Sequence, residues 1–147
     1  MEDRYLYKAK TTPKEKGEFN NVWVTGNLIV SNGKYYIHPV GNVVNVKNET
    51  GRIIVMHEVI PDTICQCTGL KDRNSKLIWE NDICDRKEEY PEIVKYNNGD
   101  WILDYSYSKG KESGYCCCNL GFYALERKYV EVIGNKFDNP ELLESEK

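Results

Sequence analysis

Two Asn-Gly dipeptides constrain the fold of this chain more than any other feature. Asn32-Gly33 stands between an apolar run and the strand-like segment Lys34–His38. Asn98-Gly99 stands between Ile93–Tyr96 and the alternating run Trp101–Tyr107. Both residues of such a dipeptide accept the positive φ angles of a type I′ turn, which joins neighbouring antiparallel strands. The sequence therefore predicts at least two β-hairpins.

The composition also favours strands. The chain has 147 residues, a length that suits one domain with a buried core. Aromatic residues make up 12% of it, and eleven of them are tyrosines. Because aromatic side chains are enriched in strands, we predict a mainly β protein with a small, aromatic-rich core.

Three further segments have strand character. Arg4–Lys10 alternates tyrosine and alanine with charged residues, which predicts a first strand with one buried face. The apolar stretch Asn21–Ser31 contains Gly26, so we expect a strand that bends or is interrupted there. Val43–Val46 and Arg52–Val55 flank a polar turn and are candidates for another hairpin.

Only the C-terminal end has a helical pattern. Asn139 can cap a helix, Pro140 suits its first position, and Glu141 complements the positive end of the helix dipole. A helix of about two turns from Pro140 to Lys147 is marginal alone. Its leucines are therefore expected to dock it on the rest of the protein or on a neighbouring subunit.

Charge and hydropathy argue against two classes of protein. The 20 basic and 23 acidic residues are dispersed and give a net charge of −3, which disfavours binding to a polyanion such as nucleic acid. No run approaches the roughly 18 apolar residues of a membrane span, and Met1–Tyr5 lacks the pattern of a signal peptide. We expect a cytoplasmic protein whose six cysteines are thiols.

The central run Thr68–Ile83 combines two turns with two short strands. Its first half is polar and turn-prone, and Leu77–Trp79 is apolar and must be buried. Asn81 tolerates the left-handed backbone of a tight turn about as well as any residue with a side chain. Asp72 and Asp82 are expected to organise the turns by accepting hydrogen bonds from the backbone. The run is therefore predicted to be architectural.

Three stretches of the sequence resemble the YopX family. The run that starts at Thr68 is similar to the family's T-G-L-K-D-K-N-G-K-x-I-Y-E-G-D-I-V, with Ser75 and Asn81 where the family usually has glycine. Trp23–Leu28 is similar to its W-V-x-G-x-L, and Glu131–Leu143 to its E-V-I-G-N-x-x-x-N-P-E-L-L. The resemblance runs nearly from end to end.

The resemblance implies a mostly β protein with a barrel of SH3-like character, located inside the cell and encoded by a phage or a prophage region. It implies no enzymatic activity, because the family is described as uncharacterised. We therefore predict a single domain over residues 1–147. It consists of N-terminal β-hairpins (1–66) packed with a small SH3-like barrel (67–135), and a short C-terminal helical tail (136–147).

The cysteines are weak candidates for a metal site. Structural zinc usually takes two thiolates spaced C-x₂₋₄-C, but Cys65 and Cys67 have one residue between them. In the run Cys116-Cys117-Cys118 the side chains alternate faces, so at most two of the three converge, and Cys84 stands apart. We predict no metal and no cofactor, with the thiols packing as small hydrophobic groups.

No set of residues indicates catalysis. His38 and His57 are the only histidines, and nothing in the sequence brings either beside an activated thiol. The carboxylates of Asp82 and Asp85, and the neighbouring pair at Glu88-Glu89, have the chemistry for acid-base work, but such residues mostly solvate turns. We therefore predict no catalytic residue and no enzyme.

The aromatic residues raise the alternative of a stacking platform for single-stranded nucleic acid. Such platforms are usually bordered by lysine and arginine, whereas Trp101–Tyr107 contains two aspartates and no basic residue. For Trp79 and Trp101 we therefore favour core packing or a protein contact.

These expectations point to a non-enzymatic protein-binding or adaptor module of a phage or prophage. Its partner is predicted to be another protein or a second copy of the chain, in a homo-oligomer. Two alternatives stay open at this point: a nucleic-acid-binding β-barrel, and a small metal-dependent or hydrolytic enzyme. The sequence does not identify the binding residues.

Overall fold

Antiparallel strands are the main elements of the computed structural model, which describes residues 2–13, 20–39, 47–48, 51–52, 55–87, 90–105 and 117–144. The chain divides into an N-terminal unit, residues 4–66, and a C-terminal unit, residues 67–147. The predicted mainly β class is confirmed. In the described part of the chain, no helix is long and apolar enough to cross a membrane.

The N-terminal unit contains strands in the order β6-β3-β2-β1-β7. Their bounds are β1 (Tyr7–Lys10), β2 (Trp23–Ser31), β3 (Lys34–Pro39), β6 (His57–Glu58) and β7 (Cys65–Lys71). Only the first two residues of β7 pair with β1, and from Cys67 onward this strand belongs to the C-terminal unit. Two-residue strands, β4 (Lys47–Asn48) and β5 (Gly51–Arg52), pair with each other.

The first predicted hairpin is confirmed. Asn32 and Gly33 join β2 to β3 and have φ angles of 52° and 73°, as a type I′ turn requires. The last residue of β2, Ser31, is directly opposite Lys34, the first residue of β3. The turn chemistry of two residues thus sets the register of the longest strand pair in this unit.

The bend predicted at Gly26 is wrong. β2 continues through this residue, which pairs in regular register with Tyr7 on one side and Pro39 on the other. A β-carbon at position 26 would lie 1.9 Å from the carbonyl oxygen of His38. Glycine is therefore required because the backbone of β3 approaches closely, not because the strand bends.

Two other N-terminal expectations differ from the structure. The strand predicted from Arg4 begins only at Tyr7, because Glu2–Tyr5 forms a turn of 3₁₀ helix. Most of the hairpin predicted after Pro39 lies outside the described residues, including all of Val43–Val46. The described pairing there joins β4 to β5, whose residues lie in the predicted turn except for Arg52, the first residue of the predicted second strand.

One face of the N-terminal sheet forms the core of its unit. Ala9, Ile37 and Val59 are at most 1% exposed and pack together. Half-buried side chains complete this cluster: Tyr7, Val24, Leu28, Tyr35 and Ile64. Since successive residues of a strand point to opposite faces, the other face of β1, β2 and β3 carries the intervening residues.

The C-terminal unit contains a five-stranded antiparallel sheet in the order β12-β11-β10-β9-β13. The strands are β9 (Asp82–Asp85), β10 (Glu92–Asn97), β11 (Asp100–Asp104), β12 (Cys117–Asn119) and β13 (Glu131–Asn135). The second part of β7 pairs with β8 (Leu77–Trp79). The second predicted hairpin is also confirmed, since Asn98 and Gly99 join β10 to β11 with φ angles of 49° and 94°.

The centre of this sheet is buried on both faces. Ile93 and Val94 are consecutive in β10 and point to opposite faces, yet neither is more than 1% exposed. The sequence of a strand that is covered on both faces is a continuous apolar run rather than an alternation of apolar and polar residues. The core cluster on the Val94 face consists of Ile78, Cys84, Val94, Leu103, Leu120, Ala124 and Val130.

The SH3-like barrel predicted for residues 67–135 is not confirmed. Over the ranges that the structure covers, β12 and β13 are the two edges of an open sheet, and no strand pairing joins them. A closed barrel would require such a pairing, because closure removes both edges.

The helical prediction needs two corrections. The C-terminal helix is a single 3₁₀ turn, Pro140–Leu143, and the side chain of Asn139 does not cap it. The Oδ1 atom of Asn139 instead accepts a hydrogen bond from the backbone nitrogen of Asn135, at 3.2 Å. In addition, Phe122–Arg127 forms a π-helix where no helix is predicted. Six residues give too little periodicity to indicate a helix.

Candidate functional site

The Asp72 carboxylate organises the first turn of the central run, as predicted. Its Oδ1 atom accepts hydrogen bonds from the backbone nitrogens of Asn74 and Lys76, at 2.8 and 2.9 Å. Its Oδ2 atom accepts one from the nitrogen of Val132 in β13, at 2.9 Å. Burial alone would raise the pKa of Asp72, but these three hydrogen bonds outweigh it and hold the pKa below its usual value of 3.8.

The second turn of the run is also built from backbone interactions. Asn81 has a φ angle of 67°, and its nitrogen donates to the carbonyl oxygen of Val94 at 2.9 Å. The Oδ2 atom of Asp82 accepts a hydrogen bond from the nitrogen of Trp79, at 2.8 Å. Ser75, in the first turn, has a φ angle of 65°. The predicted architectural role of the central run is therefore confirmed.

The C-terminal motif has an equally structural explanation. The Oδ1 atom of Asn135 accepts hydrogen bonds from the nitrogens of Phe137 and Asp138, at 3.0 and 2.9 Å. A β-carbon on Gly134 would lie 2.6 Å from Oδ1 of Asn139, which holds the Asn135 nitrogen. Glycine at position 134 thus leaves the space that the Asn139 side chain fills.

The candidate residues for metal binding or catalysis form no metal-binding group where the structure describes them. Cys65, Cys67 and Cys84 are buried free thiols, and Cys118 is a half-buried one. Among the residues that the structure describes, no group of three or more His, Cys, Asp or Glu side chains could hold a metal ion. Glu88-Glu89 and Cys116 lie outside the described residues, as does the side chain of Cys117.

The histidines and the thiol of Cys84 have ordinary surroundings. His38 Nδ1 lies 2.8 Å from the carbonyl oxygen of Val55, and both His38 and His57 are half-buried. Burial, followed by the nearby carboxylates of Asp82, Glu92 and Asp72, raises the pKa of the Cys84 thiol well above 9.0. This thiol is therefore protonated at neutral pH and unsuited to act as a nucleophile.

The two tryptophans of the C-terminal unit contribute to its core. Trp79 is 9% exposed, and Trp101 packs against the core cluster. The ring of Tyr96 meets that of Trp101 edge to face, with centroids 5.2 Å apart, and the Tyr96 side chain is exposed. The prediction of core packing for Trp79 and Trp101 is confirmed.

A buried ion pair in the C-terminal unit was not predicted. The Arg86 Nε atom donates to Oε1 of Glu92, and the side chains are 8% and 1% exposed. The Arg86 Nη2 atom lies 3.1 Å from the sulfur of Cys118, and the guanidinium carbon lies 4.4 Å from the centre of the Tyr123 ring. We call these four residues, Arg86, Glu92, Cys118 and Tyr123, the Arg86 centre.

Little in the sequence indicates the Arg86 centre. Arg86 begins the charged run Arg86-Lys87-Glu88-Glu89, which has the composition of a solvated loop, and its thiol contact is 32 residues away in the chain. The one local signal is that Glu92 opens an otherwise apolar segment of β10. A carboxylate in such a strand needs a cationic partner if it is buried.

The Arg86 centre supports the π-helix Phe122–Arg127. Tyr123 lies against the Arg86 guanidinium on one side, and its ring meets that of Phe122 edge to face, with centroids 5.2 Å apart. Three apolar side chains in and just after this segment are exposed: Phe122 by 44%, Leu125 by 60% and Tyr129 by 50%. We call Phe122, Leu125 and Tyr129 the helix surface.

The fold and these sites define a mainly antiparallel β protein whose sequence motifs form turns and which exposes three apolar side chains in and just after a short helix. A family model described as YopX protein matches residues 4–144 of the chain. The chain therefore belongs to the YopX family. A comparison with curated proteins gives no match.

Proposed function

We propose that this protein is a non-enzymatic binding module that contacts another protein, or a second copy of itself, through the helix surface. The observation that carries the proposal is the exposure of Phe122, Leu125 and Tyr129 within eight residues. Each leaves apolar area in water that a contact would remove, at roughly 25 cal/mol per Å². Tyrosine and phenylalanine are also enriched at protein interfaces.

The Arg86 centre makes this surface suitable for binding because it limits the freedom of the helix before any partner arrives. The Arg86 guanidinium is held by Glu92 and lies against Tyr123, which in turn contacts Phe122. A surface that is ordered in the free protein loses less conformational entropy on binding. The ion pair therefore has a role in binding without touching the partner.

The same proposal places the protein in the cytoplasm of a bacterial host and derives it from a phage or prophage. Its support is the resemblance of the chain to YopX sequences. Self-association into a homo-oligomer is one form of the proposed contact, since exposed sheet edges and apolar groups are common routes to symmetric assemblies.

The test compares the wild-type protein with Leu125→Lys. Leu125 is the most exposed residue of the helix surface, so its replacement should not change the fold. The association state is measured by light scattering and sedimentation velocity over a concentration series, and proteins retained from a bacterial host lysate are identified by mass spectrometry. We expect Leu125→Lys to weaken the wild-type contact by roughly 10- to 100-fold.

The matched control is Val30→Lys, which makes the same kind of change at a residue that is 57% exposed in the N-terminal unit. This variant should associate like the wild type. A wild-type protein that stays monomeric and retains no protein from the lysate would refute the proposal, and so would equal effects of the two substitutions.

A further inference from the structure

The outward face of the N-terminal sheet differs in chemistry from its core face. The register places Lys10 opposite Trp23 and Lys8 opposite Thr25, all on the face away from Ala9 and Val24. It places Tyr36 opposite Ile29 on the same face. We call this the lysine face; its members in β1, β2 and β3 are Lys8, Lys10, Trp23, Thr25, Asn27, Ile29, Ser31, Lys34, Tyr36 and His38.

The lysine face is partly open to solvent. Thr25, Asn27, Ser31 and Lys34 are exposed, and the other members are half-buried, among them Lys8, Lys10 and the two large rings, Trp23 and Tyr36. A half-buried ring keeps part of its surface accessible to a ligand, while the residues that bury the rest limit its motion. The face is therefore ordered and reachable, which a binding surface requires.

Two ammonium groups lie against one indole. The Nζ atoms of Lys8 and Lys10 are 4.9 and 5.4 Å from the centre of the Trp23 ring. These distances are within the range of cation–π attraction, which holds both charges over the ring. The arrangement combines an aromatic surface and a local concentration of positive charge in one place.

The charge of the face is opposite to that of the whole chain. Its strands carry three lysines, and the one acidic residue among the described strand positions of this face, Glu58 of β6, lies 3.9 Å from Lys34. The chain as a whole has a net charge of −3. A basic face on an acidic protein indicates a local binding site for a negatively charged ligand, in contact with the lysines, rather than a long-range attraction by the whole chain.

We infer that the lysine face binds single-stranded nucleic acid. Unpaired bases stack on Tyr36 and on Trp23. On Trp23 they take the place of the Lys8 and Lys10 ammonium groups, which move from the ring to the phosphates that link the bases. Proteins that bind single strands use this combination of aromatic rings and adjacent cations. The inference is independent of the proposed protein contact, because every residue that carries it belongs to the N-terminal unit.

Other anionic partners fit the face less well. The bases of a duplex are stacked and paired, so the rings of an open sheet face cannot reach their surfaces. An acidic peptide would satisfy the lysines, but it offers no planar group to Trp23 and Tyr36. The two kinds of contact together favour a chain that alternates charged and aromatic groups.

The test is a fluorescence anisotropy titration of the full chain against a labelled oligothymidylate of about 12 nucleotides. Affinity should fall as salt is added, with a log-log slope of about −0.7 for each phosphate contacted. Trp23→Ala should weaken binding by roughly 5- to 150-fold. The double variant Lys8→Gln/Lys10→Gln should weaken it too and reduce the magnitude of the slope by about 1.4.

The control is Lys71→Gln/Lys136→Gln, which removes the same charge from two exposed lysines of the C-terminal unit. It should bind like the wild type. If Trp23→Ala does not fold, as judged by circular dichroism, it is replaced by Trp23→Phe, which keeps a ring and should retain most of the binding. Lys8→Gln/Lys10→Gln then decides whether the lysine face binds the oligonucleotide.

Four results would overturn the inference. These are a flat titration at low salt, equal loss of affinity in the control, binding of the same sequence at least as tightly when it is a duplex, and equal competition by polyglutamate. The last result would identify the face as a site for acidic peptides.

Discussion

The carboxylate of Asp72 accepts a hydrogen bond from the backbone nitrogen of Val132, 60 residues later in the chain. Two further contacts join the same regions: the nitrogen of Arg73 donates to the carbonyl oxygen of Val130 at 2.8 Å, and the Arg73 guanidinium meets Glu131. The turn between β7 and β8 is thereby attached to the edge strand β13. One ionised side chain is responsible for both the shape of the turn and its attachment.

The attachment should make stability depend on pH. The pKa of Asp72 is lowered in the folded protein, so the unfolded state binds more protons as the pH falls toward 3.8. The stabilisation is thus complete above the unfolded pKa and is lost as the pH falls through the lower, folded pKa. In urea unfolding between about pH 5 and pH 2, the free energy of unfolding of Asp72→Asn should depend less on pH than that of the wild type.

At neutral pH, Asp72→Asn should also lower the free energy of unfolding by about 1.5–3 kcal/mol, because the bonds to a charged acceptor are weakened. Asp100→Asn is the control, since Asp100 is exposed at the start of β11. An unchanged pH profile in Asp72→Asn would contradict the role of this carboxylate.

The Arg86–Glu92 ion pair should be far more sensitive to substitution than a surface pair. Glu92→Gln leaves the buried Arg86 guanidinium without its counter-charge, which should cost about 3–5 kcal/mol in the free energy of unfolding. Glu58→Gln removes the partner of the exposed Lys34 and should cost less than about 1 kcal/mol. Chemical unfolding followed by tryptophan fluorescence measures both.

The double variant Arg86→Leu/Glu92→Leu should recover part of the stability lost in Glu92→Gln, because neither buried charge remains. If it also loses the association that Leu125→Lys weakens, the ion pair acts by ordering the helix surface. Similar effects of Glu92→Gln and Glu58→Gln would show that the pair is not buried in solution.

Gly134 and Asn139 should behave as a coupled pair. In Gly134→Ala the new β-carbon would lie 2.6 Å from Oδ1 of Asn139, so that side chain must move and release the Asn135 nitrogen. We expect a loss of about 1–3 kcal/mol in unfolding free energy. In Gly134→Ala/Asn139→Gly the obstructing side chain is gone, so the double variant should lose less than the sum of the single variants. Additive losses would argue against the close contact.

The thiol of Cys84 should resist alkylation in the native protein. It is 1% exposed, so a reagent reaches it poorly. Burial and nearby carboxylates raise its pKa, so little of the thiol is ionised at neutral pH. Cys118 is half-buried beside the Arg86 guanidinium and should react first. Peptide mass spectrometry after timed treatment with iodoacetamide distinguishes the two. Equal rates without denaturant would contradict the burial of Cys84.

Local chemistry explains which parts of the fold could be predicted. Asn32-Gly33 and Asn98-Gly99 set their turns within two residues, and the aspartates at positions 72 and 82 bond to backbone nitrogens close by. Such contacts join residues that are close together in the chain, so a local sequence pattern indicates them. The attachment of Asp72 to Val132 joins residues 60 apart, and no local pattern indicates it.

The incorrect and missing predictions also concern contacts between residues that are distant in the chain. Glycine within a strand marks either a bend or the close approach of another backbone, and only the position of His38 shows that the second applies to Gly26. Arg86 stands in a charged run that is typical of a solvated loop, and its burial depends on Glu92, Cys118 and Tyr123. The candidate surfaces were missed because one is assembled from separate strands and the other lies in and just after a short helix.

The left-handed backbone at Ser75 and Lys87 offers a practical way to study both surfaces. Each residue has a φ angle of 65°, a conformation that costs a residue with a side chain roughly 1 kcal/mol and glycine almost nothing. Ser75 belongs to neither the helix surface nor the lysine face, whereas the Nζ atom of Lys87 lies 5.8 Å from the centre of the Tyr129 ring. A chain carrying Ser75→Gly, with Lys87→Gly added where the lysine face is studied, should therefore have a stability reserve. Damaging substitutions should remain folded in it, so that their binding can be measured separately from their folding.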